Sequence, residues 1–125
     1  RELIPVNTST HCLDIHRNLS ITPRRLEPGP PRRIDGMTLG IVDMDRDAPH
    51  GGEMHPDGDE VLCVLSGRIS VTTNDTPSPL TFEPGDVCIV PRGAWHRVHI
   101  LEPARLLHLT PGPGGSHRPL PQTDP

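Results

Sequence analysis

Residues 51 to 60 read GGEMHPDGDE, so Glu53, His55, Asp57, Asp59 and Glu60 crowd into one decapeptide. The apolar run VLCVL follows at once. Carboxylates beside a core are costly unless their charge is neutralised. A bound cation answers that cost, and so does a solvated turn that keeps the charges in water. A second stretch, GDVCIVPRGAWH at residues 85 to 96, ends in another histidine, His96, after a Pro-x-Gly turn. The chain contains no Lys and no Tyr. Schiff-base chemistry and a Lys or Tyr acid or base are thereby excluded. His, Glu, Asp, Cys, Ser, Thr and a metal ion remain.

The elements that carry these residues are short. Apolar and β-branched runs occur at 37–44, 60–67, 68–73, 80–85, 86–91, 96–101 and 104–110, separated by turn residues. That spacing predicts an all-β barrel or sandwich. LSGR predicts a hairpin turn at Gly67, TNDTPSP a longer loop, and FEPGD a turn at Pro84-Gly85. No segment has helical periodicity with caps, and no internal repeat has a clear period. Pro (17) and Gly (12) make up more than a fifth of the 125 residues, mostly as punctuation. From 111 onward they concentrate in PGPGGSHRPLPQTDP, which reads as an extended or disordered tail.

Length and charge bound the rest. A chain of 125 residues is one domain with a core large enough to fold without metal or disulfides. A net charge of −4 leaves no basic footprint for nucleic acid or anionic lipid. No apolar stretch is long enough for a membrane span. The N-terminus lacks a signal-peptide pattern, and the missing initiator Met leaves room for an upstream segment. Cys12, Cys63 and Cys88 are odd in number and share no CxxC spacing, so a disulfide framework and a zinc knuckle are not expected. A reducing cytoplasm is the expected location.

The two stretches GGEMHPDGDEVLCVLSG and GDVCIVPRGAWH resemble the two sequence motifs of the cupin family. The first family motif has a glycine, HxH, a glutamate and, after six residues, a glycine. His55, Glu60 and Gly67 fit it, while the first histidine of HxH falls at Glu53. The second motif has a glycine, PxG, a histidine and an asparagine. Gly85, Pro91, Gly93 and His96 fit, and the asparagine position is Ile100. The resemblance spans roughly residues 37 to 110. It implies a double-stranded β-helix, or jelly-roll, barrel over 37–110. It also implies an N-terminal arm over 1–36 that is strand-exchanged in a homodimer, and a tail over 111–125.

Strand parity agrees with this resemblance. Residues two apart share a face, so Glu53 and His55 share one, as do Glu60, Leu62 and Val64, and His96, Val98 and Ile100. In a closed barrel these faces point inward. His55, Glu60 and His96 would then hold one divalent transition metal (Fe, Mn, Zn, Ni or Co), with Glu53 as fourth ligand. The bland counterpart is a hydrogen-bonded polar network with no ion. Asp57 and Asp59 are expected to face water in the HPDGDE turn. Leu62, Val64, Val98 and Ile100 would line an aliphatic pocket with His108, joined by Met37 and Leu39. His50 is expected to be an exposed loop residue, and His99 and Trp95 to point away from the interior. Arg92 and Arg97 are expected at the surface and Phe82 in the core, while His11 and His16 have no assigned role.

Such a site suits a small organic molecule that chelates through a carboxylate, enol or hydroxyl. The expected function is a metal-dependent enzyme of dioxygenase, isomerase or cyclase/lyase type, with Glu53 or Glu60 as general base. The alternative is a non-catalytic cupin that binds or senses a small ligand. The Arg-only, Pro-rich composition suggests a GC-rich bacterial source.

Overall fold

A computed structural model describes residues 1–76, 78–113 and 115–119. The described residues form nine strands and no helix. These are β1 (His11–His16), β2 (Ile21–Arg25), β3 (Gly36–Met44), β4 (Gly52–Met54) and β5 (Glu60–Thr73), then β6 (Leu80–Phe82), β7 (Val87–Val90), β8 (His96–Pro111) and β9 (Ser116–Arg118). All pairings are antiparallel. One path runs β2-β1-β3-β8-β4-β9, and β5 pairs with β6, β7 and β8. The fold is the expected all-β jelly roll, and no helix among the described residues is long and apolar enough to cross a membrane.

The two longest strands form the spine. β5 and β8 pair from Val61↔Leu109 to Thr73↔His96, with irregular register between Val64 and Ile69. The hairpin turn expected at Gly67 is therefore not a turn. Residues 60–73 form one strand, and Gly67 sits in a bulged region of it at φ 79°. A Cβ at Gly67 would strike the backbone of Pro103 and Ala104 on the opposing strand. Glycine alone allows both the left-handed φ and that approach.

The irregularity resets which side chains face inward. Before it, the buried residues of β5 are Glu60, Leu62 and Val64; after it they include Ile69 and Val71. β8 keeps one parity, so Leu106 faces Val64 and Val98 faces Val71 across the ladder. Val64, Ile69, Val71, Ala104 and Leu106 form the buried core, with Met44, Phe82, Cys88, Val98 and Ile100 packed against it. The expected turn at Pro84-Gly85 is present, closed by Asp86 N–H donating to the Glu83 carbonyl at 2.9 Å.

Both termini join this frame. In the N-terminal arm, β1 pairs with β2 and lies against β3, with Leu13 opposite Leu39. In the C-terminal segment, where an extended or disordered tail is expected from sequence, β9 pairs with β4. Residues 114 and 120–125 of that segment lie outside the described residues.

Replacing Gly67 and Gly85 separates backbone strain from close packing. Both have positive φ, but a Cβ at Gly85 meets nothing within 4 Å. Gly85→Ala should cost about 1–2 kcal/mol of unfolding free energy from the left-handed conformation alone. Gly67→Ala should cost clearly more, read from the midpoint of chemical denaturation. Equal costs at the two positions would remove the bulge from its role.

Candidate metal centre

Three strands and one turn bring four side chains together. Glu53 lies at the centre of β4, directly opposite His96, the first residue of β8. His55 follows β4 and is anchored by Gly93 N–H donating to its carbonyl at 3.0 Å. Glu60 opens β5 opposite Val90. His55, Glu60 and His96 are buried, at 6%, 3% and 2% exposure. The Glu53 side chain is more open, at 29%.

The distances within the cluster are those of groups around a shared centre. His55 Nε2 lies 3.2 Å from Glu60 Oε2, and His96 Nε2 lies 3.2 Å from Glu60 Oε1. Glu53 Oε1 is 3.6 Å from His55 Nε2 and 3.7 Å from His96 Nε2. The four ligand atoms all lie within 4.8 Å of one another. Yet His55 Nε2, Glu60 Oε1 and His96 Nε2, which face one another, and His55 Nδ1 behind them, are buried with no hydrogen-bond partner among the described residues. Buried polar atoms are nearly always paired, because leaving one unpaired costs about 1–3 kcal/mol. A closed polar network does not satisfy the three facing atoms, and a single cation between them would.

The surroundings orient two of the four donors, His96 and Glu60. Nδ1 of His96 lies 3.3 Å from the Ala94 carbonyl, which can only accept. Nδ1 therefore carries a proton, so Nε2 is the atom His96 offers to an ion once its own proton leaves. Thr110 Oγ1 donates to Glu60 Oε2 at 2.7 Å, and His108 Nδ1 lies 2.8 Å from the same hydroxyl. The chain His108 N–H to Thr110 O–H to Glu60 holds that carboxylate still. His108 needs the space left by Gly40, where a Cβ would fall 2.5 Å from its Nε2. Burial pushes the His108 pKa down against the pull of Glu60 and Glu53, which keeps the ring neutral.

Electrostatics in the ion-free cluster follow from mutual contact. Burial favours neutral imidazoles, but the facing Glu53 and Glu60 outweigh it and hold His55 and His96 at about 9. Burial also works against the carboxylates, yet the two histidines lower Glu60 to about 2 and Glu53 below its ordinary range. Two imidazolium ions then balance two carboxylates. A divalent ion with two neutral imidazoles gives the same total charge, so such an ion can replace two protons without burying net charge.

The cluster opens into a cavity of about 390 Å³, within the size range of small-molecule sites. Leu62, Val98 and His108 line it, as the sequence pattern predicts. Val64 and Ile100 instead belong to the core. Each lies four residues along its strand from Glu60 or His96, about 13 Å at strand rise, and packs into the core cluster beyond the lining. On β3 the wall is Thr38, Gly40, Ile41, Val42 and Met44, and the expected Met37 and Leu39 do not line it. The far wall is the N-terminal arm, through His11, Cys12, Arg24 and Leu26, and Arg97 also reaches the lining. Within the arm Arg24 donates to both oxygens of buried Asp14 at 2.7 and 3.1 Å, and Thr38 of β3 donates to the same carboxylate at 2.8 Å, which ties the arm to the barrel.

Other residues divide as follows. Asp57 pairs with Arg33, and Asp59 Oδ1 accepts from Arg92 N–H at 2.7 Å, so both carboxylates brace turns. His99 sits 3.0 Å from Asp47, outside the cluster. Trp95 packs under the Arg118 guanidinium at 4.4 Å. Sequence reasoning missed Thr110 and His117. Thr110 shares its strand face with His108 and His96, which was a usable signal. His117, whose Nε2 lies 3.1 Å from Glu53 Oε2, sits in a Pro/Gly-rich segment with no local pattern to mark it.

A family model described as "Cupin domain" matches residues 40–110. Solved structures share the fold at low identity. A protein from Neisseria meningitidis is 24% identical, with a TM-score of 0.53 over 67% of this chain and 82% of that one. A cupin-2 domain containing protein from Shewanella frigidimarina is 19% identical, with a TM-score of 0.54 over 70% and 82%. The cupin domain of Cnp3 from Schizosaccharomyces pombe is 19% identical, with a TM-score of 0.54 over 82% and 85%. No curated protein matches the chain significantly.

Two measurements check this geometry. Thr110→Val removes the hydroxyl held against Glu60 and should weaken divalent-ion affinity about 10–100-fold while the fold is kept. Ion binding at pH 7 should release close to two protons, read by titration calorimetry in buffers of different ionisation enthalpy. The signs of the two pH dependences differ. In the ion-free protein the raised histidines add stability below their ordinary 6.5 and lose it as pH rises through about 9. Ion binding competes with those same protons, so the melting shift caused by the ion should grow from pH 6 to pH 9.

Proposed function

The chain belongs to the cupin domain family, and we propose that it is a metal-dependent enzyme acting on a small organic molecule in the barrel cavity. The carrying observation is the trio of buried, unpartnered atoms, His55 Nε2, Glu60 Oε1 and His96 Nε2. Two imidazoles and two carboxylates suit Fe, Mn, Co, Ni or Zn. An ion on these residues would supply Lewis acidity, or dioxygen activation if it is iron.

The chain's own groups divide the remaining work. Glu60 is locked by Thr110 and nearly inaccessible, which suits a ligand and not a proton carrier. Glu53 is the more open carboxylate and borders the cavity, so it is the better general base. Leu62, Val98 and Leu106 form an apolar wall that excludes water from the reacting end. The cavity suits a small acid, enol or hydroxy compound with an aliphatic body, and the reaction class is oxidative cleavage, isomerisation or a cyclase/lyase step. The cytoplasmic location, the homodimer with an exchanged arm, and the absence of nucleic-acid and membrane partners belong to the same reading.

The test begins with elemental analysis of purified protein. Wild type should carry a divalent transition ion, and His55→Ala combined with His96→Ala should lose it. A chelator should leave the barrel folded by circular dichroism, because the core does not depend on the ion. Reloading with single metals should restore turnover on small carboxylic and enolisable acids with one metal preferred, and Glu53→Gln should lower kcat more than ion affinity. Ligand-induced melting shifts with no turnover under any metal would instead favour a binding or sensor cupin.

A further inference from the structure

Glu53 has two oxygens, and they face different partners. Oε1 faces His55 and His96. Oε2 faces His117 at 3.1 Å and His50 at 4.0 Å, both through Nε2. The arrangement follows from the sheet. β4 lies between β8 and β9, with Glu53 directly opposite His96 on one side and His117 on the other. Directly opposed residues in adjacent strands stand on one face with Cβ atoms about 5 Å apart. His50 reaches the same point from the loop before β4, and its ring meets His117 edge-on with centroids 4.9 Å apart. The ligand atoms of His50, Glu53 and His117 lie within 4.8 Å of one another.

We infer that Glu53 bridges two divalent transition ions, an inner one on His55, Glu60 and His96 and an outer one on His50 and His117 at the cavity mouth. This rests on the metal-dependent reading above and replaces its assignment of Glu53 as general base, because a carboxylate with both oxygens coordinated has no free basic oxygen. Three of the N···O separations around the two oxygens, 3.1, 3.6 and 3.7 Å, are close to the edge lengths of ligands about 2.0–2.2 Å from a common ion, and the fourth, His50 at 4.0 Å, needs a small closing movement. The outer side offers two imidazoles and one carboxylate, one carboxylate fewer than the inner side, and its half-open position leaves coordination places for water or substrate. β9 is fastened independently of any ion. Gly51 N–H donates to the Arg118 carbonyl at 2.7 Å, and Arg118 lies over Trp95 and donates to Asn74 at 3.3 Å.

One local change is required. His50 Nδ1 now accepts from Gly52 N–H at 3.2 Å, which leaves the proton on Nε2. Coordination through Nε2 moves that proton to Nδ1 and breaks this hydrogen bond, so the His50 ring must turn. With both carboxylates shared among two ions the centre carries net positive charge. The mouth would then favour an anionic substrate that spans both ions, as two-metal sites hold oxygen anions.

The test uses the full chain and the metals alone. Protein stripped with a chelator is titrated with Mn²⁺ and Zn²⁺, counting bound ions by elemental analysis after gel filtration and recording Mn²⁺ electron paramagnetic resonance. Two ions per chain with an exchange-coupled spectrum are expected. His117→Ala and His50→Ala should each leave one ion and an uncoupled spectrum. His117 is 48% exposed, so its truncation leaves the core untouched. One ion in wild type and in both variants overturns the bridge and leaves the inner site standing. Two ions that persist uncoupled in His117→Ala overturn it too, since the second then binds elsewhere. No ion in wild type overturns both this inference and the reading beneath it.

Discussion

Charge neutrality in a buried space is the condition on which the rest of this protein rests. Two carboxylates and two imidazoles meet where little water reaches them. Either two protons or one divalent cation balances them. The protonated form holds the groups as ion pairs at 3.2 Å without well-aligned hydrogen bonds, because the Nε2 and Oε groups surround a common point instead of aiming at one another. Hydrogen bonds from outside the cluster, through Ala94 and Thr110, hold His96 and Glu60 in that arrangement. The barrel therefore supports a site that is costly without an occupant, and it does so with a core that packs elsewhere.

That separation depends on the phase of two strands. β5 supplies Glu60 and Leu62 to the cavity at one end, then Ile69 and Val71 to the core at the other. A regular strand cannot present even-numbered residues inward at one end and odd-numbered ones at the other. The bulged region around Gly67 makes the change, and β8 bends past it through Pro103 while keeping its own parity. Glu60 and His96 thus come from opposite ends of the β5–β8 ladder, and the core residues Val64, Ile69, Val71, Ala104 and Leu106 pack between them, on both sides of Gly67.

The cavity is closed by segments outside the central motifs. The arm supplies a wall and is pinned by the Arg24–Asp14 pair with Thr38 donating to Asp14 at 2.8 Å. β9 supplies His117 and edges the mouth. The family match stops at residue 110, and the distant structures establish the fold alone. Outside the matched residues lie the two terminal segments that border the cavity beside Glu53.

The sequence by itself determined the fold class and the inner cluster. Short β-branched runs with turn residues between them allow little but an antiparallel β fold. Motif spacing with period-two parity then placed Glu53, His55, Glu60 and His96 on inward faces, because parity is a local property of a strand. Local patterns also marked Leu62, Val98 and His108 as lining. Only the tertiary structure decided the rest. Gly67 reads as a turn because a left-handed glycine serves a hairpin and a bulge equally well, and the choice depends on what Pro103 does on another strand. Val64 and Ile100 share a face with site residues, but the distance at which a lining becomes a core is set by the barrel's width. His117 and His11 carry no local signal, since their places come from pairings of β9 with β4 and of β1 with β3. Contacts between residues far apart in the chain are fixed by the closure of the whole sheet, which no short window of sequence contains.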